Sequence, residues 1–377
     1  IAPDKFKGTL SAREVAEAIA NGLRDVLPDA KIDIVPLADG GEGTAEVITN
    51  ALRGSWMNCK ARDPLGREIN ARYGWIEKLK LAVMEMSEAA GMRRLKPNEL
   101  NPEIATTFGV GEMILDATRR GAKEIIIGLG GSATNDGGSG MARALGFHFS
   151  TAAGSRFDGF KPSSLQKLER IEKPANLKLP KIIAAVDVKN PLLGENGATR
   201  VFGPQKGVTP DKIDKFEHAL SKLADVVAAQ FGFDYRNEPG AGAAGGLGFG
   251  LLSFCGAKIR PGFDVVAEAV GLESKMKGVD LVITGEGSLD RQTLEGKTPA
   301  GVAKLARKFG KRVFAFVGRA SDDPEPKKLF DGAYTNARSG MSDEENMKRA
   351  AEILRDNARQ LAEDLKKTFN AQRPTPQ

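Results

Sequence analysis

Residues 123–140 read KEIIIGLGGSATNDGGSG and combine a short apolar run with a glycine-rich turn. The first part, residues 124–127, contains three consecutive isoleucines and is typical of a buried strand. The part that follows carries glycines with Ser132, Thr134 and Asp136 between them. A glycine-rich turn at the end of a buried strand brings backbone N–H groups and small polar side chains close to an anion. The segment therefore predicts an α/β sheet with an anion-binding turn at one strand end.

The turn at residues 128–133 (GLGGSA) has several interpretations when it is taken alone. It fits the pattern G-x-G-x-x-A of dinucleotide-binding turns, but His148 and Phe149 stand where an acidic residue is needed about 20 positions later. It is also similar to the G-L-G-S-S-A phosphate loop of small-metabolite kinases of another superfamily. A tight turn whose glycines only permit close packing explains the segment equally well. No Walker A motif occurs in the chain.

Helix and strand signals alternate along both ends of the chain. Capping boxes at Ser11 and Ser342 open two helices. Residues 32–37 and 279–284 read as strands, each followed by a glycine-containing loop with carboxylates. This order predicts a parallel sheet at the two ends of the chain.

We predict an α/β fold of two domains. Residues 1–56 and 278–377 form a discontinuous, doubly wound parallel-sheet domain of Rossmann or flavodoxin type. Residues 57–277 form an inserted α/β domain with a mixed sheet, because the segment after residue 56 alternates apolar and polar residues as hairpins do. We expect ligands in the cleft between the domains, outside the carboxyl ends of the strands. Residues 373–377 are predicted to be disordered.

Composition excludes several classes of function. The chain has 377 residues, 41% of them hydrophobic, and no apolar run long enough to cross a membrane as a helix. Two cysteines and two histidines leave no disulfide framework and no zinc site of cysteine type. Acid–base chemistry must then fall to carboxylates or lysines. Residue 1 is Ile, so we expect a few residues to precede it. If only those few are missing, we expect a cytoplasmic protein, whereas a longer missing piece leaves a signal peptide open.

The net charge of +6 does not predict nucleic-acid binding. Lysines and arginines are interleaved with acidic residues along the helices, and aromatic residues make up only 6% of the chain. We therefore expect a solvated basic surface and small anionic substrates.

Carboxylates recur at or just after the predicted strand ends, mostly beside glycine. A single such residue is usually a helix cap. A set of seven at one edge of two sheets repels itself unless cations are present. Mg²⁺ is the economical cation, because it is held by only one or two carboxylates plus a substrate phosphate. Lysines in the same loops can neutralise phosphate charge, so the set is typical of phosphoryl transfer. The carboxylates are Asp4, Asp39, Glu42, Asp136, Asp187, Glu286 and Asp290, and the lysines are Lys5, Lys7, Lys206 and Lys297.

Six motifs resemble, in order and spacing, those of bacterial type I glycerate kinases, from residue 1 to about residue 365. Six long motifs in order are far more specific than any single loop. They are DKFKG at 4–8, ADGGEG at 38–43, GLGGSATNDGG at 128–138, GPQKG at 203–207, GAGAAGGLG at 240–248 and GEGSLD at 285–290.

The resemblance implies ATP-dependent phosphorylation of D-glycerate at the 2-hydroxyl, giving 2-phospho-D-glycerate. Phosphorylation at the 3-hydroxyl stays open, because it needs only a shift of glycerate within the site. The resemblance also implies Mg²⁺ and a discontinuous first domain. A homodimer is one candidate assembly, and neither nucleic acid nor membrane is an expected partner.

The resemblance and the strand-end positions together suggest a role for each site residue. The catalytic residues are Asp187 as general base or metal anchor, Lys7 and Asp39. Glycerate is bound by Asp39, Glu42, Lys7, Asn190, Gln205 and Lys206. Nucleotide phosphates contact Gly130, Gly131, Ser132, Thr134, Gly285 and Glu286. The metal lies near Asp136, Asn135 and Asp290.

Two segments depart from the family pattern. Residues 318–322 (GRASD) are not the small glycine-rich loop expected there, and residue 5 is Lys where many relatives carry Ser.

Two other classes of function also remain open. A nucleotide-linked dehydrogenase would use the G-x-G-x-x-A turn, and a non-enzymatic sugar-acid sensor would use the same two-domain cleft.

Overall fold

A computed structural model describes residues 1–152, 154–155, 162–295 and 297–371. The predicted disorder of residues 373–377 falls outside them. By its own contacts the chain divides into two compact units: the smaller, Ile1–Asp39 with Val266–Gln377, and the larger, Gly40–Val265. The predicted domain borders, at residues 56/57 and 277/278, stay a prediction.

The helices, in chain order, are α1 (Ala12–Val26), α2 (Thr44–Ala51), α3 (Ser87–Ala90), α4 (Phe108–Arg119), α5 (Ser139–Ala144), α6 (Ala198–Phe202), α7 (Ile213–Phe231), α8 (Ala243–Cys255), α9 (Gly262–Ala269), α10 (Leu272–Lys277), α11 (Thr298–Lys308), α12 (Asp343–Lys348) and α13 (Ala350–Ala371). The strands are β1 (Ser55–Arg62), β2 (Glu68–Ile76), β3 (Leu81–Glu85), β4 (Glu124–Gly128), β5 (His148–Ser150), β6 (Arg170–Glu172), β7 (Lys181–Val186), β8 (Lys258–Pro261), β9 (Leu281–Leu289), β10 (Arg312–Ala320) and β11 (Gly332–Thr335).

The smaller unit contains a parallel sheet in which β10 lies between β9 and β11. The chain start extends this sheet, because the amides of Ala2 and Asp4 donate to the carbonyls of Ile283 and Gly285 on β9. The predicted strand at residues 32–37 is not among the strands. Even so, the amides of Val35 and Leu37 donate to the carbonyls of Ile1 and Pro3 in the same parallel pattern. In sequence order the adjacent segments therefore run 2-1-3-4-5, the doubly wound order of flavodoxin-like folds.

Two long helices pack together against this sheet. Ile19 of α1 and Leu361 of α13 lie in one apolar cluster with Phe316 of β10. The helices approach so closely that a Cβ on Gly22 would lie 2.1 Å from the carbonyl oxygen of Arg355. Glycine at this position is therefore what allows the two helices to touch.

The larger unit is built on a six-stranded sheet in the order β1-β2-β3-β4-β7-β8. The pairs β1–β2 and β2–β3 are antiparallel, whereas β3–β4, β4–β7 and β7–β8 are parallel, which confirms the predicted mixed sheet. Ile125 and Ile127 of β4 pack in one apolar core with Met113 of α4 and Leu247 of α8.

Local signals placed several elements correctly. Both capping boxes form, with Ser11 and Ser342 each accepting from the amide three residues later. The strand predicted at residues 279–284 is longer than expected, because β9 continues to Leu289. Glu286 therefore lies inside the parallel ladder, opposite Val317 of β10, and not in a loop after the strand.

Candidate functional site

A pocket of about 480 Å³ lies in the smaller unit, at the carboxyl end of its parallel sheet. Residues that follow the first extended segment line it, together with the ends of β9 and β10 and the turn after β11. Its charged lining residues are Asp4, Lys5, Lys7, Asp39, Glu286, Lys297, Arg319 and Asp343. Both signs of charge are thus present, which suits a ligand that carries anionic groups and is bound together with a cation.

Asp4 is the most buried acid of this pocket, with 6% of its surface exposed. Thr298 at the start of α11 donates its hydroxyl to Oδ2 at 2.7 Å, and the amide of Lys5 donates to Oδ1 at 2.7 Å. Burial and then the neighbouring charge of Asp39 raise the pKa of Asp4 to about 6. Lys5 and the hydrogen bonds lower the pKa of Asp4, but their effect is smaller than the rise that burial causes.

Glu286 is the second buried acid, and Thr293 donates its hydroxyl to Oε1 at 2.6 Å. Burial raises the pKa of Glu286 to about 7. Two carboxyl groups of this pocket can therefore exchange protons near neutral pH, a property that clusters at functional sites.

The glycine loop after β4 is the second candidate site and lies in the larger unit. Gly131, Gly137 and Gly138 have positive φ angles of 69°, 62° and 74°, a backbone conformation that other residues rarely adopt. Residues 40–43, which the predicted domain borders assign to the first domain, pack within this same unit. A Cβ on Gly130 would lie 2.7 Å from the Cα of Gly41.

Asp136 holds this loop in place. It is fully buried, and Oδ2 accepts from the Thr107 amide, the Thr107 hydroxyl and the Gly140 amide at 2.8, 2.9 and 3.1 Å. The Gly138 amide donates to Oδ1 at 3.1 Å. Burial raises the pKa of Asp136, while these hydrogen bonds lower it. Because protein donors surround the carboxylate, its geometry explains a structural role and does not favour the predicted metal role.

Lys206, predicted to bind substrate, is only 1% exposed. Its Nζ donates to the carbonyl oxygen of Thr134 at 2.7 Å, so it contacts the glycine loop from within the protein. Burial lowers the pKa of Lys206 to about 7, and the charge of Asp136 opposes that shift. In the structure Lys206 therefore contacts the protein itself, and its role in binding substrate stays a prediction.

Thr134 and Asn135 complete the buried side of the loop. Asn135 donates Nδ2 to the hydroxyl of Thr199 at 3.0 Å. The hydroxyl of Thr134 and Oδ1 of Asn135 are buried without a hydrogen-bond partner. Unsatisfied buried polar atoms are rare, and a water or a ligand group can supply the missing partner.

Glu85, at the end of β3, is a polar residue of this region that the sequence pattern missed. It is 6% exposed, and Oε1 accepts from the amides of Gly43 and Ala45 at 2.8 and 3.1 Å. Arg93 lies 4.0 Å from its other oxygen. Burial raises the pKa of Glu85. The sequence did contain a signal that could have identified Glu85. It is a carboxylate directly after the apolar residues 81–84, the same pattern that identified Asp187 as a candidate.

The comparison with known protein families decides the identity of the chain. The family model described as the glycerate kinase family matches residues 1–366. The chain belongs to the glycerate kinase family.

Family relatives match over most of the chain. A glycerate kinase of Bacillus subtilis is 41% identical over 370 residues, 97% of each chain. The glycerate 2-kinase of Escherichia coli is 44% identical over 326 residues, 86% of this chain and 85% of its own. The crystal structure of a protein assigned as glycerate kinase 2 in Salmonella typhimurium LT2 superposes with a TM-score of 0.86 at 40% identity, covering 98% of both chains.

The family motifs fall into both units. Of the site residues predicted in the smaller unit, Lys7, Asp39 and Glu286 line its pocket, whereas Gly285 and Asp290 do not. In the larger unit, Glu42, Asp187 and Gln205 are exposed, and Asn190 donates to the carbonyl of Asn196. Of the predicted phosphate contacts, Gly130 and Gly131 are accessible, whereas Ser132 and Thr134 are buried.

No group of three or more His, Cys, Asp or Glu side chains could hold a metal ion within the described residues. A site of one or two carboxylates that a substrate phosphate completes is compatible with this finding. Across the described part of the chain, no helix combines the length and apolar character that a membrane crossing needs.

Proposed function

We propose that the chain is an ATP-dependent kinase that phosphorylates D-glycerate at its 2-hydroxyl and releases 2-phospho-D-glycerate and ADP. Membership of the glycerate kinase family over residues 1–366 carries this proposal. We place the phosphate on the 2-hydroxyl because the Escherichia coli relative, which is 44% identical, is named a glycerate 2-kinase. A dehydrogenase or a non-enzymatic sensor has no comparable support.

The pocket of the smaller unit offers groups suited to phosphoryl transfer. Lys5, Lys7 and Lys297 line it and supply positive charge for phosphate oxygens. Asp39 is a half-buried carboxylate of the same pocket and is one candidate for the general base. The exposed Asp187, directly after β7, is the other candidate. Either carboxylate would take the proton of the glycerate hydroxyl as the phosphoryl group arrives.

We also propose that Mg²⁺ takes part in the reaction. Asp4 and Asp39 are the carboxylates that would hold it. The charge of Asp39 makes ionisation of Asp4 less favourable, and a bound divalent cation would offset that repulsion. When bound, the metal would neutralise charge on the transferring phosphate. We keep the exposed Glu42 and Gln205, together with Asn190, as candidates for contacts with glycerate, and the accessible turn at Gly130 and Gly131 as a candidate anion contact.

An assay of ADP release with D-glycerate, followed by phosphorus NMR of the product, tests the reaction. We expect ADP release that depends on both glycerate and Mg²⁺, and a product with phosphate on carbon 2. No ADP release with D-glycerate would overturn the proposed function, and a phosphate on carbon 3 would overturn its position.

Variants Asp39→Asn and Asp187→Asn separate the two candidate bases. The variant that lacks the base should have a kcat lower by about 10²-fold or more, because general-base catalysis contributes about 10²–10⁴-fold. The other variant should change kcat much less. If both variants retain normal turnover, neither carboxylate is the base.

A further inference from the structure

We propose that the pocket of the smaller unit is the nucleotide subsite, so that the nucleoside triphosphate binds there and not on the glycine loop after β4. The inference deepens the kinase function proposed above and rests on it for the identity of the nucleotide. It relocates the predicted phosphate contacts from Gly130, Gly131, Ser132 and Thr134 to the pocket lysines.

The topology of the sheet is the first argument. In an open parallel sheet of order 2-1-3-4-5, ligands bind beyond the carboxyl ends of the strands where the order reverses, between the first and third segments. Here these two segments are residues 1–4 and β9, which are joined by the amides of Ala2 and Asp4. The pocket is lined by residues 4–7 and 286–288, at the carboxyl ends of these two segments.

The extent of the pocket is the second argument. Its lining continues from the first segment across β9 and β10 to Asn336 and Ala337, which follow β11. Four adjacent segments span three inter-strand spacings, or about 14 Å. A volume of about 480 Å³ also lies in the range of sites for ligands much larger than a three-carbon acid. Glycerate would fill only a small part of it, whereas an elongated nucleotide fits.

The chemistry of the lining is the third argument. Around Asp4, the lining side chains are charged, with Lys5 at 3.8 Å and Lys297 directly before Thr298, which donates to Asp4. At the other end, Asn336 donates Nδ2 to the carbonyl of Ala350 at 3.0 Å. The lining there combines the small or apolar residues Ala337, Met347 and Ala350 with the polar Asp343 and Asn346. An end rich in lysines for phosphates, and an end that offers both apolar surface and hydrogen-bonding groups for a base, match a nucleotide.

The variant Ala337→Trp tests the inference, because Ala337 is exposed at the end proposed for the base and a large ring there would occupy the pocket. We expect at least a tenfold increase in the KM for ATP and in the Kd for ADP by calorimetry, with the KM for D-glycerate unchanged. The matched control is Ala351→Trp, an exposed alanine on α13 outside the pocket lining, which should behave as the unmodified protein does. An increase in the KM for glycerate alone would overturn the inference, and so would an ADP affinity equal to that of the control.

Hydrogen exchange on the unmodified protein gives a second test that does not depend on the folding of a variant. We expect ADP to slow exchange in residues 4–9 and 336–350, and D-glycerate to leave these residues unchanged. ADP protection confined to residues 128–140 would place the nucleotide on the glycine loop and refute the inference. If the unmodified protein released no ADP with glycerate, the proposed function would fail, while ADP protection would still decide where a nucleotide binds.

Discussion

Replacing Lys206 by Met should change how the stability of the larger unit depends on pH. Lys206 is 1% exposed, and its amine donates to the carbonyl oxygen of Thr134 in the glycine loop. Burial lowers the pKa of Lys206 from 10.5 to about 7. Methionine has a similar length and no charge, so Lys206→Met removes the titrating group without leaving a large cavity.

The magnitude follows from the two pKa values. Between pH 7 and 10.5 the amine is neutral in the folded protein and protonated in the unfolded chain, so the unfolded state binds more protons. The free energy of unfolding therefore rises with pH, by up to about 1.4 kcal/mol per pH unit. Between pH 6 and 9 this gain amounts to about 2–3 kcal/mol in the unmodified protein. Lys206→Met should lack it.

Urea unfolding followed by tryptophan fluorescence measures this difference. Both tryptophans of the chain, Trp56 and Trp75, lie in the larger unit together with Lys206, so the signal reports that unit. The control is Lys258→Met, which removes a charge from an exposed position in the same unit. Its stability should follow that of the unmodified protein across the pH range.

Parallel pH curves for the unmodified protein and Lys206→Met would refute the reasoning. They would show that Lys206 keeps the same protonation in the folded and unfolded states. The buried contact with Thr134 would then not describe the protein in solution.

Three further substitutions have defined outcomes. Asp136→Ala should destabilise the larger unit by about 3 kcal/mol or more, because it leaves four buried donors without their charged acceptor; a loss below about 1 kcal/mol in urea unfolding would contradict this. Glu286 has a pKa raised from 4.5 to about 7, so the stability it contributes is present below pH 4.5 and is lost as pH rises through 7. Glu286→Gln should therefore remove a decline of about 2–3 kcal/mol between pH 4.5 and 8 in urea unfolding followed by circular dichroism, and an unchanged decline would argue against the raised pKa. Gly22→Ala should cost about 2–3 kcal/mol, because its Cβ would overlap the carbonyl of Arg355, whereas the control Gly278→Ala, with no atom within 4 Å of the new Cβ, should change stability by less than about 0.5 kcal/mol.

Short-range sequence signals predicted much of the fold. The capping boxes at Ser11 and Ser342 formed as expected, because their hydrogen bonds join residues only three apart. Continuous apolar runs identified β4 and β7 as buried strands for the same local reason. The family followed from six motifs in order, and the family model that matches residues 1–366 confirms it.

The strand ends of the smaller unit show where local signals fail. Glycines and carboxylates after residue 284 predicted a loop, yet β9 continues through Glu286 because β10 offers a parallel partner as far as Ala320. At residues 32–37 the local signal and the pairing agree, since the amides of Val35 and Leu37 donate to carbonyls of the chain start. Pairing with a distant segment overrode local preference only at the end of β9.

The glycine loop at residues 123–140 was recognisable from sequence alone, because consecutive isoleucines indicate a buried strand and clustered glycines indicate a tight turn. Which polar side chains of that region face solvent was decided only by tertiary structure. Lys206 donates to the carbonyl of Thr134, 72 residues away in the sequence. Thr107 donates to the carboxylate of Asp136, 29 residues away. The sequence pattern predicted a substrate contact for Lys206 and a metal contact for Asp136, because a lysine and an aspartate beside glycine are typical of phosphate sites. The folded chain buries both side chains, and a charged group enclosed by packed segments must find hydrogen-bond partners within the protein.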